Sequence, residues 1–303
     1  MNNVFFVIDK PAGITSHDVV SRVRRILGTR KVGHTGTLDP FATGVLPVAV
    51  NEATKAIPFL NEGVKSYEAE MCLGVSTDTL DMTGKVLSEK DYSAVNREQL
   101  EVVISQFIGS TSQIPPMYSA IKQGGQPLYK LARMGREVER TPRRIEIYSL
   151  EIFLISPPSV SFRVTCSRGT YIRTLADDIG NMLGCGAALK ELRRTASGHF
   201  NISRAVTLEA LQEAVCEERS SEYSISPYIA LAHLGDIPLT DAGVAKVSHG
   251  RPPDWSETTL NVAPPLVSTT LVRLSWKNEL VAVAEISPDK NAGTRMVLKR
   301  VFN

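Results

Sequence analysis

The chain has 303 residues, 43% of them apolar and 22% charged, with a formal net charge of +2. These proportions fit a water-soluble protein of one large or two smaller domains and exclude a disordered or collagen-like chain. No apolar run approaches the ~20 residues of a membrane span, MNNVFFVIDK lacks the segments of a secretory leader, and Cys72, Cys166, Cys185 and Cys216 form no C-x-x-C pair, so a cytoplasmic protein with reduced thiols and no metal site is expected.

Residues 4–9 (VFFVID) predict a buried strand. KPAGITS then turns into a helix over 17–27, capped by Ser16, with Val19, Val20, Val23, Ile26 and Leu27 on one face and Gly28 at its end. A loop rich in Gly and Thr leads to a strand over 45–50, a short helix over 53–59 and a strand over 64–73. Asn96 caps a helix containing Leu100, Val103, Ile104 and Phe107, and Gln99 completes a capping box. The stretch 111–143 is irregular, with PP, GG and a short helical piece at LYKLARMG. Residues 144–155 and 159–166 pair across a Ser-Pro-Pro turn, and an amphipathic helix over 171–183 ends at Gly184. The next assigned element is a glutamate-rich helix near 207–218.

A Ser-rich joint at 220–226 introduces a different region. It holds a short helix over 240–248, a Pro-rich loop over 252–265 and strands near 270–276, 280–286 and 295–302, which together read as a small separate β-domain. Strands mixed with helices in no βαβ rhythm argue for an α+β fold.

Charge is spread unevenly. Residues 21–31 carry Arg22, Arg24, Arg25, Arg30 and Lys31 without an acid, 122–144 and 163–204 are also basic, and 207–222 is acidic. Such segregation fits either a polyanion-facing surface or solvated helix faces.

The loop KVGHTGTLDPFATGVLPV at 31–48 contains one carboxylate, Asp39. It lacks the ending of a P-loop and the G-x-S-x-G of a serine hydrolase. It has no second carboxylate of an ordinary glycosidase, and His34 with Asp39 is too few ligands for a metal. On its own composition it is a tight turn with one acid, and a plain Asx turn explains it better than a catalytic role does.

GHTGTLDPFATGVLPV, however, resembles the catalytic signature of the TruB family of tRNA pseudouridine synthases. KPAGITS, STDTLDMTG, QIPPMYSAIKQGGQPLYKLARMG, CSRGTYIRTLADDIG and LRRTASGHF match the same family in the same order, so the resemblance spans roughly residues 4–205. Phe41 departs from a commoner leucine. The resemblance implies isomerisation of the T-loop uridine at position 55 of tRNA to pseudouridine, with no cofactor and no metal. The competing expectations are a noncatalytic tRNA-binding or folding protein and a synthase acting on other RNA.

By the same resemblance Asp39 is the essential carboxylate, attacking C1′ or C6 or removing a proton from C2′. Arg173 pairs with it, Tyr67 stacks on the target base, Leu192 lies under the base, and His34 contacts the RNA. Tyr171 supports the pocket, Asp81 orders it, and Lys10 and Lys55 contact phosphate or substrate. The implied fold has a mixed, largely antiparallel central sheet flanked by helices and loops. Residues 1–236 are then a catalytic domain with an RNA-binding arm at about 113–143, and 237–303 a PUA-like RNA-binding β-barrel. The implied partner is the tRNA T stem-loop, with no membrane, and the protein is expected to be a monomer.

Overall fold

A computed structural model describes residues 3–289 and 293–302. The chain opens with β1 (Val4–Lys10), whose Phe5, Phe6, Val7 and Ile8 are all buried, as expected for a strand covered on both faces. Helix α1 (Ser16–Leu27) buries Val19, Val20, Val23 and Leu27. Its cap is Thr15, in a reciprocal box with Asp18, while Gly28 closes the other end in the left-handed region. Ser16, the expected cap, is buried and turns to Leu38 of the loop before β3 instead.

After β2 (Val32–His34) and β3 (Thr43–Val50), a 3-10 helix spans Asn51–Phe59. β4 (Val64–Leu73) alternates strictly, with Tyr67, Ala69, Met71 and Leu73 buried on one face. The short pair β5 (Val75–Thr77) and β6 (Val86–Glu89) follows, then α2 (Arg97–Ser105) with the expected Asn96–Gln99 box. β7 (Gly109–Gln113) leads into the arm, which holds β8 (Lys122–Gln123), β9 (Gln126–Pro127) and α3 (Leu128–Arg133). β10 (Arg143–Ser156) and β11 (Ser159–Ser167) form the expected hairpin, and α4 (Ile172–Met182) follows it.

β12 (Ala187–Ser197) falls where no element was expected. Lys190 and Glu191 interrupt its apolar pattern, and register shifts at Leu189/Glu191 and Arg194/Ala196 break its alternation. It is nevertheless central. The sheet runs β7-β10-β11-β4-β12-β3-β1, antiparallel throughout except for the parallel β12–β3 contact. The mixed, largely antiparallel α+β architecture therefore holds. Gly44 makes the parallel contact possible: with φ +98, it lies so close to Arg194 that a Cβ would run into the Arg194 backbone.

β13 (Phe200–Asn201) and α5 (Leu208–Cys216) complete this body, and β14 (Ser224–Ile225), from the Ser-rich joint, adds to its edge beside β1. After α6 (Pro227–Ala230), the C-terminal sheet begins at Gly235, slightly before the boundary expected at 237. It pairs β15 (Gly235–Pro238), β16 (Thr270–Trp276), β17 (Glu279–Asp289) and β18 (Gly293–Val301) in that order, with α7 (Asp241–Ser248) against β17. The described pairings make an open four-stranded row. Val283 of β17 packs into a cluster with Phe5, Val7, Ile225 and Leu231, so the two units share a core. No helix of the described residues is long and apolar enough to cross a membrane.

Candidate active site

Asp39 sits between Leu38 and Ala42, both buried in the main core with Tyr67 and Leu192. Two side chains from other segments fix this turn. Ser16 Oγ donates to the Leu38 carbonyl at 3.1 Å and accepts from the Leu38 N–H at 2.9 Å. Lys10, with 0% exposure, donates from Nζ to the carbonyls of Pro11, Pro40 and Ala42 at 2.9, 3.1 and 2.7 Å. The loop is thus anchored on both sides of the aspartate, whose side chain stays 35% exposed.

Arg173, 3% exposed on the first turn of α4, grips that carboxylate at two points. Its Nε donates to Oδ2 at 2.9 Å and its Nη2 to Oδ1 at 3.2 Å. The guanidinium is itself held by the carbonyls of Thr79 and Tyr118, each at 2.8 Å. Asp81 lies 3.7 Å from Nη1, its Oδ1 accepting from the Thr79 and Thr83 hydroxyls and the Thr83 N–H. Charge-assisted pairs of this kind fix direction as well as charge. Desolvation raises the Asp39 pKa above its ordinary value, Arg173 pulls it back, and Asp81 pushes it up again.

Tyr67 and Arg194 are cross-strand partners in the β4–β12 ladder, and Leu192 lies opposite Ala69. Arg194 is 1% exposed and reaches back to the loop, donating from Nε to the Val45 carbonyl and from Nη2 to the Gly36 carbonyl at 2.7 and 2.6 Å. Burial pushes the Tyr67 phenol up to about 12, against a lowering by Arg194, so it stays protonated at neutral pH. His34, on β2, is half-buried with no hydrogen-bond partner for Nδ1. Burial and then Arg194 lower its pKa, which favours the neutral imidazole. Tyr171 precedes α4, and Gln113 clamps its backbone with both ends of one amide, at 2.8 and 3.1 Å.

The structure therefore brings Asp39, Arg173 and Asp81 together, with Tyr67, Leu192 and the turn of Asp39 in one packed cluster. Two candidate contacts are engaged within the chain. Lys10 is buried, and three carbonyls take its donors. Lys55 pairs with Glu52 and donates to the Val301 carbonyl at 3.2 Å, so it ties the 3-10 helix to the C-terminal unit. Thr79, Gln113, Tyr118 and Arg194, which sequence reasoning did not single out, and Ser16, which it took for a helix cap, hold these groups in place. All lie inside quoted motifs, but nothing in their type or spacing announces their backbone partners. A concavity of ≈ 390 Å³ on α5 is lined by Glu209, Glu213 and Glu217, an acidic wall unsuited to a polyanion and separate from this cluster.

Residues 24–172 match the family described as TruB family pseudouridylate synthase (N terminal domain), and residues 173–233 match the tRNA pseudouridylate synthase B C-terminal domain. The join falls inside α4, so it is no break in the fold. The chain is 54% identical over 301 residues to a tRNA pseudouridine synthase B of Geotalea uraniireducens, covering 99% of this chain and 97% of that one. It is 50% identical to the protein of the same name in Geobacter sulfurreducens, covering 99% of each. The crystal structure of a Cbf5-Nop10-Gar1 complex contains a similar chain, with TM-score 0.75 and 30% identity over 99% of this chain and 85% of that one.

Proposed function

The chain belongs to the TruB family of tRNA pseudouridine synthases and has tRNA pseudouridine synthase B activity, and from that premise we propose that Asp39 acts on the T-loop uridine at position 55 of tRNA. The observation that carries this reading is the two-point grip of Arg173 on a carboxylate left partly open to solvent. An isomerisation breaks C1′–N1 and forms C1′–C5 within one nucleotide, so the detached base is the second reactant. Holding it in place makes the recombination intramolecular, and one carboxylate then suffices.

In this reading the uridine is flipped out of the T loop at a cost of roughly a few kcal/mol. Tyr67 stacks on the base, a contact worth ~1–3 kcal/mol, and Leu192 lies beneath it. Arg173 keeps Asp39 ionised and aimed, while Asp81, Thr79 and Tyr118 aim Arg173. His34 fills space beside the vacated stack, and Tyr171 supports the pocket. Asp39 serves as nucleophile at C1′ or C6, or as base at C2′. The arm at 113–143 closes over the RNA, and the C-terminal unit is a PUA-like RNA-binding barrel. The protein works as a cytoplasmic monomer.

Tritium release from tRNA labelled at uridine C5 tests this. Wild type is expected to release label from one T-loop site, and Asp39→Asn to release none while still binding tRNA. Full activity of Asp39→Asn overturns the role of Asp39, and release from a different site overturns the choice of uridine.

A further inference from the structure

Lys65 carries a charge that the folded chain does not use. It stands on the face of β4 that buries Tyr67, Ala69, Met71 and Leu73, two residues before Tyr67. The opposite face has its charges paired, Glu68 with Arg163 at 2.9 Å and Glu70 with Lys190 at 2.7 Å. The Lys65 side chain has no hydrogen bond or ion pair among the described residues, and its Nζ is not sealed from solvent. That nitrogen rests over Gly36 of the catalytic loop, where a Cβ would overlap it.

Among the charged side chains that act on it, cations outnumber the one carboxylate. Arg194 and Arg168 are cations, and the Cys166 thiol is pushed up to about 11 by burial and stays neutral. The acid is Glu62, whose Oε1 already accepts from the Thr35 hydroxyl and, at 3.2 Å, from the Ser197 hydroxyl. Burial, with Arg194 adding to it, lowers the Lys65 pKa to about 8, so the charge is held at a cost to the fold. The charges that act most on Asp39 are instead Arg173, Asp81 and Lys10. Lying over Gly36 of the Asp39 loop and two residues before Tyr67, Lys65 adjoins the site of the reacting carboxylate. The anion such a site meets is the chain that carries the base.

We propose that Lys65 binds a backbone phosphate of the substrate RNA next to the flipped uridine and so acts as a positioning residue. This rests on the RNA reading of the site. The test uses T stem-loop RNAs in which single phosphates are replaced by neutral methylphosphonates, with equilibrium binding and tritium release both measured. Lys65→Met should raise KM about tenfold with kcat nearly unchanged, and lower the salt slope of binding by about 0.7–0.9. Lys65→Arg should restore both. One methylphosphonate position should weaken wild-type binding yet cost Lys65→Met nothing further. Additive losses at every position, or an unchanged KM in Lys65→Met, overturn the proposal. If wild type releases no tritium, the catalytic reading fails, and the binding measurements still decide on Lys65.

Discussion

Arg173 and Asp39 are joined by two parallel hydrogen bonds from one guanidinium, at 2.9 and 3.2 Å, while two further donors of that guanidinium hold the Thr79 and Tyr118 carbonyls. Three segments distant in sequence therefore meet on one side chain. The α4 helix supplies the arginine, the STDTLDMTG segment and the arm supply its acceptors, and the Asp39 loop receives its charge.

A lysine at 173 would keep the charge and lose the fork. Arg173→Lys is expected to lower kcat by about a hundredfold, the scale of a misplaced reacting group, while tRNA binding changes little. Tritium release and filter binding measure the two quantities. Equal losses in both would show that Arg173 serves binding and not aim.

Asp39 must be ionised to act as nucleophile or base. Its pKa is raised by desolvation, lowered by Arg173 and raised again by Asp81. Activity should therefore be lost as pH falls through a value above the 3.8 of a free aspartate. Asp81→Asn removes an upward push, so its acid limb should move to lower pH than that of wild type. A kcat/KM–pH profile of both proteins checks the sign, and a shift to higher pH would contradict it.

Ser16 spans the Leu38 N–H and carbonyl with one hydroxyl. Ser16→Ala leaves both groups buried without that partner, at about 1–3 kcal/mol for each unmet group. The expected result is a lower denaturation midpoint and a reduced kcat at unchanged KM, read by urea unfolding and steady-state kinetics.

The fold was legible where periodicity is regular. The strand over 64–73 and the Asn96–Gln99 box of α2 appear as expected. β12 was hidden because Lys190 and Glu191 lie in its middle and two bulges shift its faces, although Leu192 and Arg194 both depend on it. The site was legible as a set of motifs, through their resemblance to one family. Its supporting contacts were not, because a side chain bonded to a backbone carbonyl leaves no mark in composition or spacing. Ser16 read as a helix cap, a role that Thr15 fills. Lys55 read as a substrate contact, yet Glu52 and the Val301 carbonyl engage it.

Lys10 separates a clamp from a phosphate contact by experiment. Its Nζ is enclosed with the carbonyls of Pro11, Pro40 and Ala42, which lie on either side of the turn that presents Asp39. Burial lowers its pKa to about 8, with Asp39 opposing, so it remains mostly an ammonium at neutral pH. In Lys10→Met the three carbonyls lose this donor and Asp39 loses a nearby positive charge. The expected stability loss is about 1–3 kcal/mol, the scale of a buried acceptor left without its partner, together with a large fall in kcat. The salt slope of tRNA binding should stay at its wild-type value, because no phosphate contact is removed. A slope reduced by about one unit, as expected for loss of a phosphate contact, would instead mean that Lys10 leaves its three carbonyls when RNA binds.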